Sequence, residues 1–97
     1  MVSIFEEMEA AAAAKAAIEA LSIAPNRKAL DALRDAYHIA DVAMTTLSSE
    51  GPLNEARHTV GIVLPDLIRA GEKATPPREK IDKANAAVED WMRLLAH

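Results

Sequence analysis

Proline and glycine divide this chain into four segments of similar length, and that division limits the possible folds more than any other feature. The interruptions lie at Pro25, at Gly51-Pro52 and between Gly71 and Pro77. Each segment is about twenty residues long and rich in Ala, Leu, Glu, Lys and Arg, which favour helix, while β-branched residues are scattered. The sequence therefore predicts an all-α protein.

The predicted helices cover about residues 3–22, 27–49, 52–70 and 76–96, and the third is kinked near Pro65 because a proline inside a helix clashes with the preceding turn. Helices of matching length joined by short connections favour a small four-helix up-and-down bundle. We expect residues 1–97 to form a single helical domain. A dimeric or intertwined arrangement would use the same pattern.

The predicted helix starts depend on two kinds of residue. N-cap side chains accept a hydrogen bond from a free backbone N–H of the first turn, and proline has no N–H that would be left unpaired there. Ser3 and Glu6 form a capping box, and Asn26 is a favourable N-cap. Pro52 suits a first helical turn, and Thr75 is the N-cap candidate for the fourth helix.

Alanine makes the apolar content of the chain weaker than it looks. Apolar residues make up 51% of the sequence, but 21 residues are Ala and only Phe5, Tyr37 and Trp91 are aromatic. Burial of a Leu or Ile side chain contributes about 1.5–3 kcal/mol, and burial of Ala contributes much less. The predicted core is modest, so burial against a partner or a second copy would add stability.

Composition argues against several classes of protein. The chain has no Cys, so it has neither a disulfide framework nor a thiolate nucleophile. Residues 2–21 carry five charges, which is unlike a signal peptide, and no apolar run is long enough to span a membrane. No nucleophile constellation or phosphate-binding loop is visible. We expect a cytoplasmic protein that is not an enzyme and binds no cofactor.

The first helix lacks a single apolar face. Its apolar residues follow three directions, and Lys15 interrupts one of them; the directions are Ile4–Met8–Ala11–Ile18, Phe5–Ala12–Ala16 and Ala10–Ala14–Ala17–Leu21. Either Ala lets this helix pack closely on several sides, with Lys15 extending its ammonium to water, or part of the helix faces a partner. Val42 and Ile62 also interrupt polar faces. The candidate partner interface is therefore Phe5, Glu6, Met8, Glu9, Ile18, Val42 and Ile62.

Two alternatives compete with protein binding. The spacing acid-x-x-His occurs twice, at Asp35/His38 and Glu55/His58, and di-iron carboxylate bundles use Glu-x-x-His pairs. These residues lie opposite the apolar seams, however, so we expect them to face solvent and to hold no metal. Arg78, Lys80 and Lys83 suggest weak nucleic-acid binding, but acidic residues alternate with them and the second half of the chain is neutral.

The leading expectation is a small helical module that binds another protein, of unknown identity. An adaptor or an inhibitor of a larger complex fits the size and the net charge of −4, by analogy with small phage- or plasmid-type inhibitors. Homodimer formation is the second possibility, and neither a membrane nor a nucleic acid is the expected partner.

Overall fold

The computed structural model describes residues 3–46 and 51–96, and all regular structure within them is helical. Four helices occur in these ranges: α1 (Ile4–Ile23), α2 (Arg27–Thr46), α3 (Pro52–Lys73) and α4 (Arg78–Leu95). Each helix packs against two others, and α1 closes the ring by contacting α4 as well as α2. The predicted all-α four-helix bundle is confirmed.

Side-chain contacts give the direction of neighbouring helices. Glu7, near the start of α1, accepts a hydrogen bond from Trp91, near the end of α4, and Arg34 in the first half of α2 pairs with Glu72 at the end of α3. The bundle measures 36 × 22 × 19 Å, which matches helices of about twenty residues, each about 30 Å long. Consecutive helices therefore run up and down.

Three of the predicted helix starts are confirmed. The Ser3 hydroxyl oxygen accepts the Glu6 N–H at 3.1 Å, and Asn26 Oδ1 accepts the Ala29 N–H at 3.2 Å. Pro52 begins α3, where its missing N–H leaves no bond unmade.

The fourth helix begins two residues after its predicted start at about residue 76, and the predicted N-cap was wrong. The helix begins at Arg78, and the residue before it is Pro77, with φ −59° and ψ 144°; Thr75 does not cap it. The helical region is sterically disfavoured for a residue that precedes proline, which accounts for Pro76 lying outside the helix.

The third helix continues past its predicted end at residue 70. Gly71 is buried inside α3, and a Cβ at its position would lie 2.8 Å from Leu30 Cδ2. This glycine therefore leaves room for the Leu30 side chain of α2 against α3, and it does not end the helix. Pro65 does not interrupt α3, and the kink there stays a prediction. The predicted end of the second helix at residue 49 lies outside the described residues.

The core combines large side chains from α2, α3 and α4 with small ones from α1. Leu33, Leu64, Leu67 and Trp91 are fully buried. α1 contributes Ala10, Ala11, Ala14 and Ala17, with Ile18 and Leu21 in its second half. Its first half therefore adds little apolar burial. Within the described ranges, no helix is long and apolar enough to span a membrane.

Replacement of Asn26 with Ala should lower the free energy of unfolding by about 1 kcal/mol, because the Ala29 N–H loses its acceptor. Urea denaturation followed by circular dichroism measures the change. Ser22→Ala is the matched control, since the Ser22 hydroxyl only donates to the Glu19 carbonyl within α1. Equal effects of the two substitutions would show that Asn26 does not act as a cap.

Candidate functional site

The outward face of α1 differs from that of α4. Of the ten exposed residues in α1, six are apolar: Ile4, Phe5, Ala12, Ala13, Ala16 and Ile23. Of the eight exposed residues in α4, seven are charged: Arg78, Glu79, Asp82, Lys83, Glu89, Asp90 and Arg93. A solvated helix normally places charged residues outward, as α4 does. α1 therefore presents an apolar surface to solvent.

Four of the exposed α1 residues follow one line along the helix. Phe5, Ala12, Ala16 and Ile23 are separated by 7, 4 and 7 residues, which places them within about 20° of a common direction. Phe5 is 73% exposed and Ile23 is 85% exposed. The line has a bulky side chain at each end and methyl groups between them.

A shallow groove runs beside this line, between α1 and α2. Two cavities of about 340 and 300 Å³ form it, and they share Ala13 and Ala32. Its lining is mainly methyl groups, from Ala10, Ala13, Ala16, Ala17, Ala20, Ala29, Ala32 and Ala36. We refer to this surface as the α1–α2 groove. Because alanine side chains are short, another helix can approach the backbone of both α1 and α2 there.

Charged residues mark the two ends of the α1–α2 groove. Glu6, Glu9 and Asp35 line one end, together with Ile39, and Lys28 lines the other with Asn26. None of the four charged side chains forms an ion pair with a described residue. The groove is therefore electrostatically polarised, with an acidic end and a basic end.

A second groove lies on the opposite side of α1, against α4. It measures about 610 Å³, and Met8 and Met92 contribute to its lining. Its charged rim is already neutralised, because Lys15 pairs with Glu89 at 3.1 Å and Arg93 pairs with Asp90 at 2.8 Å. The Lys15 ammonium thus reaches the surface, as the first interpretation of α1 expects.

The core contains a charged cluster at the end of the bundle where α1 begins. Arg57 donates two hydrogen bonds to the carboxylate of Glu7, from Nε at 2.7 Å and from Nη2 at 2.8 Å. The indole Nε1–H of Trp91 donates to the same carboxylate at 2.8 Å. Glu7 is fully buried and Arg57 is 2% exposed. One carboxylate therefore connects α1, α3 and α4.

This cluster anchors the half of α1 that has the weakest apolar packing. The sequence patterns did not predict this cluster, and Glu7 was not among the candidate residues. The signal was present, because Glu7 precedes Ala11, Ala14, Ile18 and Leu21 at the 4-, 3-, 4- and 3-residue spacing of a buried row. Arg57 begins a similar row in α3.

The seven predicted interface residues differ in exposure and lie on three different helices. Phe5, Glu6 and Glu9 are exposed on α1, and Met8 is half-buried in the groove against α4. Ile18 is 1% exposed, so its assignment to a surface was wrong: Lys15 follows the α4 side of the helix while Ile18 turns into the core. Ile62 is exposed on α3, and Val42 is half-buried on α2.

The acid-x-x-His residues do not form a ligand set. Asp35, His38, Glu55 and His58 are all exposed. In the described part of the chain, no three His, Asp or Glu side chains lie close enough together to hold a metal ion. The geometry thus gives the metal-binding alternative no support.

Two of the three basic residues proposed for nucleic-acid binding are already paired. Lys80 contacts Asp66 at 2.7 Å, and Arg78 contacts Asp82 at 3.2 Å. The hydrogen bond from Lys80 is the main cause of a lowered pKa of the Asp66 carboxyl, with smaller contributions from Arg69 and Lys83. Phosphate would have to compete with these carboxylates.

In the comparisons with known proteins, the chain matches no protein-family model, no curated protein and no solved structure. The geometry of its own residues is thus what supports a functional interpretation.

Proposed function

We propose that this chain acts by binding another protein, and that the α1–α2 groove with the adjoining face of α1 is its binding surface. The observation that carries the proposal is the apolar outward face of α1. Contact with a partner would remove the exposed apolar area of Phe5 and Ile23 from water without burying a polar group of either side chain, and this burial contributes about 25 cal/mol per Å². A role as a small adaptor or inhibitor of a larger complex is consistent with this surface.

The position of the groove between two helices, and its alanine lining, favour a helix as the part of the partner that binds there. Grooves between helices commonly receive an amphipathic helix, whose bulky side chains enter between the two host helices. The methyl-lined floor from Ala10 to Ala36 provides the close approach that such packing needs.

The experiment blocks the groove without disturbing the core. Ala16 is exposed and lines the groove, so Ala16→Arg places a long, charged side chain in it while preserving helix propensity. We expect the variant to keep the helical circular dichroism and melting temperature of the wild type. Proteins captured from the native host by the wild type should be lost by the variant, as measured by quantitative mass spectrometry.

Ala86→Arg is the matched control. Ala86 is also an exposed helical alanine, but it lines the groove against α4. The proposal expects this variant to retain the captured proteins. Capture that both variants keep, or that only Ala86→Arg loses, would place the binding surface elsewhere.

A further inference from the structure

We infer that the occupant of the α1–α2 groove is a cationic amphipathic helix of a partner protein, which runs parallel to α1 with its positive residues over Glu6, Glu9 and Asp35. This inference rests on the proposed function and adds the charge and direction of the bound helix. It is carried by the arrangement of charges along the groove.

The length of the groove sets the length of the helix. The lining extends along α1 from Glu6 to Ala20, which corresponds to about 21 Å at 1.5 Å per residue. An occupant of about four turns fills it. Leu or Met side chains at positions i, i+3, i+4 and i+7 of that helix would pack on the alanine floor.

The acidic end sets the charge of the occupant. Glu6, Glu9 and Asp35 converge there without a basic partner among the described residues. An apolar occupant would remove water from these carboxylates and leave them uncompensated, whereas Lys or Arg side chains would pair with them. Cations at this end therefore distinguish the correct partner from other amphipathic helices.

Both ends of the groove favour the same direction. The N-terminus of a helix carries a partial positive charge and the C-terminus a partial negative one. The favourable orientation places the N-terminus of the occupant at the acidic end and its C-terminus at Lys28. Because α1 also begins at the acidic end, the occupant runs parallel to α1 and antiparallel to α2.

Charge makes the α1 helix of a second copy a poorer occupant. The exposed face of α1 carries Glu6, Glu9 and Glu19, and its Lys15 is already paired with Glu89. In either direction, a second α1 would bring carboxylates toward the acidic end without a free cation to neutralise them. A helix of opposite charge is therefore a better occupant than a second α1.

The test uses two synthetic peptides of about four turns, held helical by a hydrocarbon staple and labelled with a fluorophore. Both carry the same leucine face and the same composition. One has Lys in its N-terminal half and Glu in its last turn, and the other has these positions exchanged. Fluorescence anisotropy gives the two dissociation constants, at low and at high salt.

The Lys-first peptide should bind roughly three- to thirtyfold more tightly than the exchanged peptide at low salt, because the helix dipole favours only one direction when the charges are matched, and high salt should reduce the difference. The double variant Glu9→Lys/Asp35→Lys should abolish or invert the preference. Ala16→Arg should abolish binding of both peptides, and Ala86→Arg should not.

The outcomes separate the inference from the proposed function. Equal affinity for both peptides, lost in Ala16→Arg, would overturn the direction of the occupant while leaving the groove as a binding surface, because the exchanged peptide can bind in reverse with its Lys over the acidic end. Affinity for either peptide that Glu9→Lys/Asp35→Lys leaves unchanged would overturn the charge of the occupant. Tighter binding of the exchanged peptide would overturn the direction. Failure of both peptides to bind, or binding that Ala16→Arg does not affect, would remove the groove itself. A dimer that Ala16→Arg disperses, seen by light scattering, would identify the occupant as a second copy.

Discussion

Replacement of Arg57 with Met is expected to lower the free energy of unfolding by about 3–5 kcal/mol. The guanidinium supplies two of the three hydrogen bonds to the buried carboxylate of Glu7, and Met fills similar volume without a charge. The loss would come from leaving an unpaired carboxylate in the core. Since small domains unfold with only about 5–15 kcal/mol, the variant should be markedly less resistant to urea.

Two controls isolate the contribution of the charge. Arg34→Met is the same substitution at an exposed ion pair with Asp31 and Glu72, and should cost less than about 1 kcal/mol. The double variant Glu7→Leu/Arg57→Met removes both buried charges and should be more stable than Arg57→Met alone. A double variant that is less stable than the single one would show that loss of packing, or of the acceptor for the Trp91 N–H, outweighs the unpaired charge.

Replacement of Trp91 with Ala is expected to lower the free energy of unfolding by about 3–5 kcal/mol, because it leaves a large cavity in the core. Trp91 is fully buried, and its indole also donates to Glu7. Far-ultraviolet circular dichroism is the appropriate measurement, since Trp91 is the only tryptophan and its fluorescence is lost in the variant.

Trp91→Phe separates ring volume from the hydrogen bond. Phe keeps an aromatic ring but has no N–H, so the expected loss is smaller than that of Trp91→Ala. Equal losses in the two variants would assign most of the effect to the hydrogen bond with Glu7. Losses below about 1 kcal/mol in both would contradict the placement of Trp91 in the core.

The buried cluster and the proposed binding surface belong to the same helix. α1 turns alanines toward the core as well as toward solvent, so apolar burial holds its first half weakly. Hydrogen bonds from Arg57 and Trp91 to Glu7 fix that half from the inside. The acidic end of the α1–α2 groove lies on the same turns, at Glu6 and Glu9. Variants of the cluster are therefore expected to weaken partner binding through the position of α1.

Local residue chemistry determined most of the helix starts. Ser3, Asn26 and Pro52 act on backbone groups within one turn, so their effect is visible without knowledge of distant residues. Gly71 shows the limit of that reasoning. A glycine can end a helix or leave room for a neighbouring side chain. Only the structure shows that the Leu30 side chain lies against Gly71, inside α3.

By itself, the sequence determined that the chain forms four helices in an up-and-down bundle, because helix breakers and helix-forming residues act on neighbours close together in the chain. Only the tertiary structure decided that Glu7, Arg57 and Trp91 meet, since 50 and 84 positions separate Glu7 from its two partners. It also decided which of the three apolar directions of α1 faces solvent. None of the three directions is clearly the most apolar one, so the packing of α2 and α4 selects which of them enters the core.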